Sequence, residues 1–355
     1  MKEDKLSLGI DTSNYKTSVA VVDKDGKILF NHQEFLDVKH GERGLRQSDA
    51  FFQHVNRLPE PLESALAEYR GQIGVVAVST RPRPVEGSYM PVFMAGYGYA
   101  RAVAAALGVD VKEFSHQEGH IEAVKHYSAL KDSKSPLICF HFSGGTTEAL
   151  LVGEDGSIEI VGGSKDIAYG QVLDRVGVAL GFDFPCGQAL DEIACKHFGH
   201  IAGCEDDGEC KNQEIKSIKN GVLTKVKVND CYVNLSGIDT QARRYLESLE
   251  NTGLDSASKP RIASEDNLRD KEIALIIELF QRLGDSILTM STQLAEKYGI
   301  KDFIYAGGVS SSKFIRKYLT KNMPEGYRIV FGEPALSSDN AVGIALLGGK
   351  SIWDN

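Results

Sequence analysis

With 355 residues, of which 42% are hydrophobic and 25% charged, the chain can bury one large core or two, which excludes an intrinsically disordered protein. A formal net charge of -9 and a pI near 5.6 exclude a surface that grips nucleic acid over most of its area, so any such contact has to be local. No apolar stretch approaches the roughly 18 to 20 residues of a membrane-crossing helix, the opening MKEDKLSLGID does not read as a signal peptide, and six cysteines without one point to a reducing compartment, the cytoplasm.

Residues 5–37, KLSLGIDTSNYKTSVAVVDKDGKILFNHQEFLD, read as strand, polar turn, strand, Asp-Gly hairpin and strand. Helical segments over 47–69 and 92–107 and a strand over 74–79 follow. Next comes His116-Gln117-Glu118-Gly119-His120, whose histidines, four apart, share one helix face and suit two imidazole ligands of a single transition metal. The same spacing fits an ordinary histidine pair at a helix start. Glu118 is not adjacent to the first histidine, so this is no HExxH motif, and protease chemistry is not supported.

Residues 136–164, PLICFHFSGGTTEALLVGEDGSIEIVGGS, repeat the opening pattern and indicate an internal duplication. Helices over 169–180 and 187–198 and a strand over 302–306 complete the expectation of two α/β lobes. The first lobe is expected over 1–130, joined by a closing helix over 338–350, and the second over 131–337.

Three strand ends run into small polar turns: Asp11-Thr12-Ser13, Ser143-Gly144-Gly145-Thr146-Thr147 and Ala306-Gly307-Gly308-Val309-Ser310, with Ser310 expected to cap the helix that follows. Such turns let backbone N–H groups approach an anion, although ordinary turn chemistry has the same composition. Asp339, expected at the start of the last helix, is an oriented carboxylate and a candidate third metal ligand. Between residues 195 and 231 lie Cys195, His197, His200, Cys204, Cys210 and Cys231, and the gap between Cys204 and Cys210 is loose for a zinc site. Lys219, Lys225, Lys227, Arg243 and Arg244 are either a local nucleic-acid contact or a solvated face.

In order along nearly the whole chain, Gly9-Ile10-Asp11-Thr12-Ser13, His116-Gln117-Glu118-Gly119-His120, Ser143-Gly144-Gly145, Asp174 in QVLDRV, Pro185-Cys186-Gly187, Asp191, Ser236-Gly237, Ala306-Gly307-Gly308-Val309 and Asp339-Asn340 resemble the TsaD family. These are universal enzymes that transfer a threonylcarbamoyl group to a tRNA adenosine and were long mislabelled as glycoproteases. The resemblance implies two duplicated RNase H-like lobes of the actin, sugar kinase and heat-shock chaperone (ASKHA) superfold. It implies an iron or zinc ion on His116, His120 and Asp339, and a catalytic role for Asp11. ATP or an acyl-adenylate would contact Ser143, Gly144, Gly145, Thr146, Thr147, Asp174, Gly187, Asp191 and Ser312. Implied partners are tRNA and a TsaB-like dimerising protein, with no membrane.

The chain departs from the family pattern at several places. Asn14-Tyr15-Lys16 stands where the family has Cys-Asp-Glu, and Arg81-Pro82-Arg83-Pro84-Val85-Glu86-Gly87-Ser88 replaces a GPGL loop. Ser312 replaces an asparagine, Asp239 a lysine and Cys186 a glycine. Transfer to tRNA, transfer to another acceptor and a non-catalytic nucleotide-binding scaffold are therefore all carried forward. A sugar-kinase-like phosphotransfer is the weakest reading, because no aspartate general base stands beside a sugar-binding loop.

Overall fold

Aliphatic and β-branched residues, interleaved with small and polar ones, build β1 (Leu6–Thr12) and β2 (Lys16–Val22), both buried throughout. A hairpin closed by Gly26, in the left-handed region at φ 82, leads to β3 (Ile28–Phe35). In the computed structural model, residues 5–13, 15–38, 45–201, 221–251, 267–333 and 341–353 are described. Strands β4 (Ile73–Arg81) and β5 (Asp110–Ser115) pair in parallel beyond β1, giving a five-stranded sheet of order β3-β2-β1-β4-β5.

The helical segment expected over 47–69 is two helices, α1 (Gln47–Arg57) and α2 (Pro59–Tyr69). Pro59 lacks the N–H that a continuous helix needs and instead opens α2. Helix α3 (Phe93–Leu107) ends at Gly108 with φ 69. Helix α4 (His116–His126) follows β5 directly.

The opening motif recurs in β6 (Leu137–Phe142), β7 (Thr147–Val152) and β8 (Ile158–Ser164), again antiparallel. Helices α5 (Tyr169–Leu180) and α6 (Gly187–Ile201) come next, then the short strands β9 (Val228–Asn229) and β10 (Tyr232–Val233). Beyond them run α7 (Ser236–Asn251), the 29-residue α8 (Asp270–Tyr298), β11 (Asp302–Ala306), α9 (Lys313–Asn322) and β12 (Arg328–Phe331). The second sheet has the order β12-β11-β6-β7-β8-β10-β9, and its core gathers Phe140, Phe142, Tyr169, Phe280 and Phe303.

Ser310 does not cap α9, contrary to expectation. A 3-10 turn over Gly308–Ser311 intervenes, Ser310 Oγ donates to Ala306 O at 2.8 Å, and the cap passes to Ser312, whose Oγ accepts from Ile315 N–H at 3.0 Å. Gly307, at φ 89, is pressed so close to Phe142 that a Cβ would stand 2.4 Å from its carbonyl oxygen. The chain therefore has to swing clear before a helix can start.

The last helix, α10 (Val342–Trp353), packs on the first sheet and on α4. Ala20, Val22, Ala341, Val342, Ala345 and Leu346 form a buried apolar cluster, and Trp353 Nε1 donates to Lys5 O at 2.8 Å. Asn14, Cys204, Cys210, Lys219 and Asp339, and the side chain of His200, lie outside the described residues. Burial pushes the thiols of Cys186 and Cys195 up to about 12 and about 11, so neither stands as a thiolate near neutral pH.

Candidate metal centre and ligand cleft

Helix α4 starts where it does because Ser115 and Glu118 form a capping box. Ser115 Oγ accepts from Glu118 N–H at 3.2 Å, and Glu118 Oε2 accepts from Ser115 N–H at 2.6 Å. His116 is thereby the first helical residue, and His120 lies one turn on. Both are buried, and their Nε2 atoms stand 3.0 Å apart.

A third imidazole arrives from the other sheet. His141, on β6 and 3% exposed, has its ring centroid 4.6 Å from that of His120. Ligand nitrogens of His116, His120 and His141 all lie within 4.8 Å of one another. Two nitrogens on one tetrahedral zinc stand about 3.3 Å apart, so a small closure brings all three onto one ion.

Asp11 sits behind this cluster. Its Oδ1 accepts from His116 Nδ1 at 3.0 Å and also from Ser79 Oγ. An ionised carboxylate only accepts, so Nδ1 carries the proton and the Nε2 lone pair of His116 faces the other two imidazoles. Asp11 Oδ2 is buried and has no hydrogen-bond partner among the described residues. Three neutral imidazoles backed by one carboxylate are a donor set that fits iron or zinc.

Sequence reasoning found His116 and His120 through their spacing and missed His141. The available signal was one polar residue in the otherwise apolar strand LICFHF, two positions before Ser143.

The glycine turn after β6 is self-capped: Ser143 Oγ accepts from the N–H groups of Gly145 at 3.3 Å and Thr146 at 3.0 Å. Thr147 Oγ1 accepts from Tyr169 N–H at 2.9 Å and so ties the turn to the start of α5. Tyr15 reaches this turn, its Cε2 3.6 Å from where a Gly144 Cβ would be, with its ring 5.9 Å from that of Phe184. Lys16, its neighbour, donates to Gln33 at 3.1 Å and lies 4.3 Å from the Phe35 ring centroid.

The two remaining carboxylates act as posts. Asp174 Oδ1 accepts from Cys186 N–H at 2.8 Å, just before Gly187 opens α6. Asp191 accepts from Ser312 Oγ and from the N–H groups of Lys313 at 2.8 Å and Phe314 at 3.0 Å, joining α6 to the start of α9. Asp239, where the resemblance implies lysine, is buried and accepts from Arg243 at 2.9 Å and Arg175 at 3.4 Å.

Burial raises the Asp174 carboxyl to about 6, against the opposing pull of the Cys186 and Gly187 N–H groups. The folded state therefore binds this proton more tightly than the unfolded chain, whose value is about 3.9. The associated stability is complete below about pH 4 and is lost as pH rises through 6. Asp174→Asn is expected to flatten this dependence, gaining about 2 kcal/mol on the wild type between pH 4.5 and pH 7.5. Denaturant midpoints at the two pH values measure it, and a parallel offset at both would contradict it.

Two sheets built on one duplicated motif, with a histidine cluster bridging them, define a two-lobed α/β protein of the ASKHA superfold. Component A of (R)-2-hydroxyglutaryl-CoA dehydratase from Acidaminococcus fermentans shares this fold at 16% identity and a TM-score of 0.52, over 98% of both chains. Full-length HypF in its phosphate- and nucleotide-bound form does so at 12% identity and a TM-score of 0.53, over 100% of this chain and 56% of that one.

The chain belongs to the TsaD family, tRNA N6-adenosine threonylcarbamoyltransferase, whose model matches residues 36–346. Relatives bearing that name include the protein of Syntrophomonas wolfei, 26% identical over 97% of this chain and 91% of its own length. The Streptococcus suis protein is 29% identical over 98% of this chain and 92% of its own. No helix among the described residues is long and apolar enough to cross a membrane.

Proposed function

We propose that this chain moves a threonylcarbamoyl group from an acyl-adenylate to the N6 amine of a tRNA adenosine, using a divalent iron or zinc ion held by His116, His120 and His141. The carrying observation is the convergence of three imidazoles from α4 and β6, with Asp11 fixing the tautomer of one. Asp339, implied by the resemblance, would add a carboxylate. When bound, the ion supplies Lewis acidity to carbamoyl or phosphate oxygens.

The transfer itself is an exchange of bonds at the carbamoyl carbon. The N6 amine attacks it and a C–N bond forms; the C–O bond to the adenylate phosphate breaks, AMP leaves with that electron pair, and N6 loses a proton. Asp11 acts by orienting His116 and not as a group facing the substrate. The Ser143–Thr147 turn would receive the adenylate phosphate, with Gly187 and Ser312 near the nucleoside and Asp174 and Asp191 holding α6 and α9 in place. A TsaB-like dimerising protein is the proposed partner.

The test is transfer from synthetic threonylcarbamoyl-adenylate to unmodified tRNA by the metal-loaded full chain, with and without the TsaB-like partner. Modified adenosine and AMP are expected in equal amounts, lost on chelation and restored by metal. Absence of metal-dependent transfer under both conditions would overturn the proposal. A different acceptor is the second reading, favoured by Tyr15, an aromatic ring beside the turn where the resemblance implies a carboxylate, packed 5.9 Å from the Phe184 ring. Metal-dependent AMP release with unchanged tRNA would support it.

A further inference from the structure

The loop Arg81-Pro82-Arg83-Pro84 is fastened to the metal cluster's surroundings at three points. Gln117 N–H donates to Pro82 O at 3.2 Å, Arg81 Nη2 lies 3.7 Å from Glu118 Oε2, and Arg83 Nε donates to Glu148 Oε1 at 2.6 Å. The other Glu148 oxygen accepts from Gln117 Nε2. Glu148 is the register partner of His141 across β6 and β7, so the two side chains share one face of the sheet, with Cβ atoms about 5 Å apart. Arg83 thus stands one carboxylate away from the histidine cluster.

Two groups here have capacity left over. Glu148 only accepts, so the Gln117 amide must present its NH2 to it, which turns Oε1 away. That oxygen is buried, in a residue 1% exposed, and has no hydrogen-bond partner among the described residues. A ligand N–H would satisfy it. The Arg83 side chain is 44% exposed, and among the described residues only its Nε is engaged, which leaves both Nη groups available. Beside the cluster the protein therefore holds one buried, unsatisfied acceptor and, on a partly exposed side chain, one planar pair of donors.

We propose that Gln117 and Arg83 form the subsite that recognises the acyl group, a proposal that rests on the transfer reading above. The Nη pair of Arg83 takes the carboxylate of the threonyl portion in a two-point contact, and Gln117 Oε1 accepts from a carbamoyl N–H. The pattern selects this group over a phosphate, because a phosphate oxygen beside Gln117 Oε1 would face another acceptor, whereas an N–H group is complementary to it. A flat guanidinium fork also matches a planar carboxylate, which a lysine at this position would not do.

The test is calorimetry on the zinc-loaded full chain with two probes, N-carbamoyl-L-threonine and its neutral amide. The wild type is expected to bind the acid about tenfold or more tighter than the amide. Arg83→Gln is expected to bring that ratio close to one, and Arg83→Lys to retain part of it. Gln117→Met is expected to weaken both probes alike and leave the ratio standing. Equal affinities in the wild type, no measurable binding of either probe, or a ratio unchanged in Arg83→Gln would overturn the proposal. Calorimetry reads no turnover. A protein that binds the acid selectively but fails the transfer assay refutes the transfer reading and leaves the subsite standing, while one that transfers without Arg83-dependent selectivity does the reverse.

Discussion

His141→Ala is expected to strip the metal as completely as His116→Ala. Both side chains are buried, and both offer a nitrogen to the same three-imidazole cluster. Removing a group that merely orients a ligand weakens metal binding about 10- to 100-fold, and removing a ligand itself should exceed that range. Zinc content after dialysis is expected to fall from stoichiometric to near zero in either variant, and transfer activity to fall with it. Asp11→Asn is expected to land in between, with affinity reduced about 10- to 100-fold, because the imidazole remains while its tautomer is no longer fixed. Full metal content in His141→Ala would show that this residue is a core histidine next to a two-histidine site.

Gly343→Ala is the second large effect. A Cβ there would stand 1.8 Å from the carbonyl oxygen of Gly119, a backbone atom of α4 that cannot turn aside. The cost is about 3 kcal/mol or more, and the melting temperature is expected to drop by roughly 5 to 10 °C. Gly119→Ala is the control, since its Cβ would meet the tip of Ile344 at 2.8 Å, a flexible group that can rotate. It is expected to cost under about 1 kcal/mol. Because Gly119 lies between His116 and His120, Gly343→Ala is also expected to weaken zinc binding, a readout that simple loss of stability elsewhere would leave unchanged. Equal melting points for the two variants would refute the close helix contact.

Local pattern carried most of the fold. The duplicated strand-turn-strand motif is visible because β1 and β2, and β6 and β7, are neighbours in sequence and their pairing follows from the hairpins between them. The capping box at Ser115 and Glu118 and the histidine spacing belong to one helix, so the sequence displays them directly. The third imidazole left only one faint mark, a lone polar residue in an apolar strand, for the opposite reason. His141 meets His116 and His120 only through the packing of a strand in one sheet against a helix that follows the other, and no period within the chain encodes that approach. The split at Pro59 was present in the sequence but was outweighed by a helical pattern that resumes one residue later. Asp174 and Asp191 were picked out through the resemblance as ligand contacts, and the hydrogen bonds they make in the fold tie down the starts of α6 and α9. Composition cannot distinguish a carboxylate that binds a ligand from one that binds backbone.

The return of α10 to the first sheet sets an order of events during synthesis. Trp353 and Lys5 are 348 positions apart, yet they are joined by a hydrogen bond. Until the stretch from Ala341 onward leaves the ribosome, Ala20 and Val22 on the sheet have no cover, and α4 lacks the helix against which its histidine-bearing turn is seated. The second lobe, whose strands and helices are contiguous in the chain, is free to mature earlier. Loading of the proposed metal would therefore come among the final steps in the birth of the molecule, and a nascent chain stalled before residue 341 would present a bare apolar sheet to the chaperones around it.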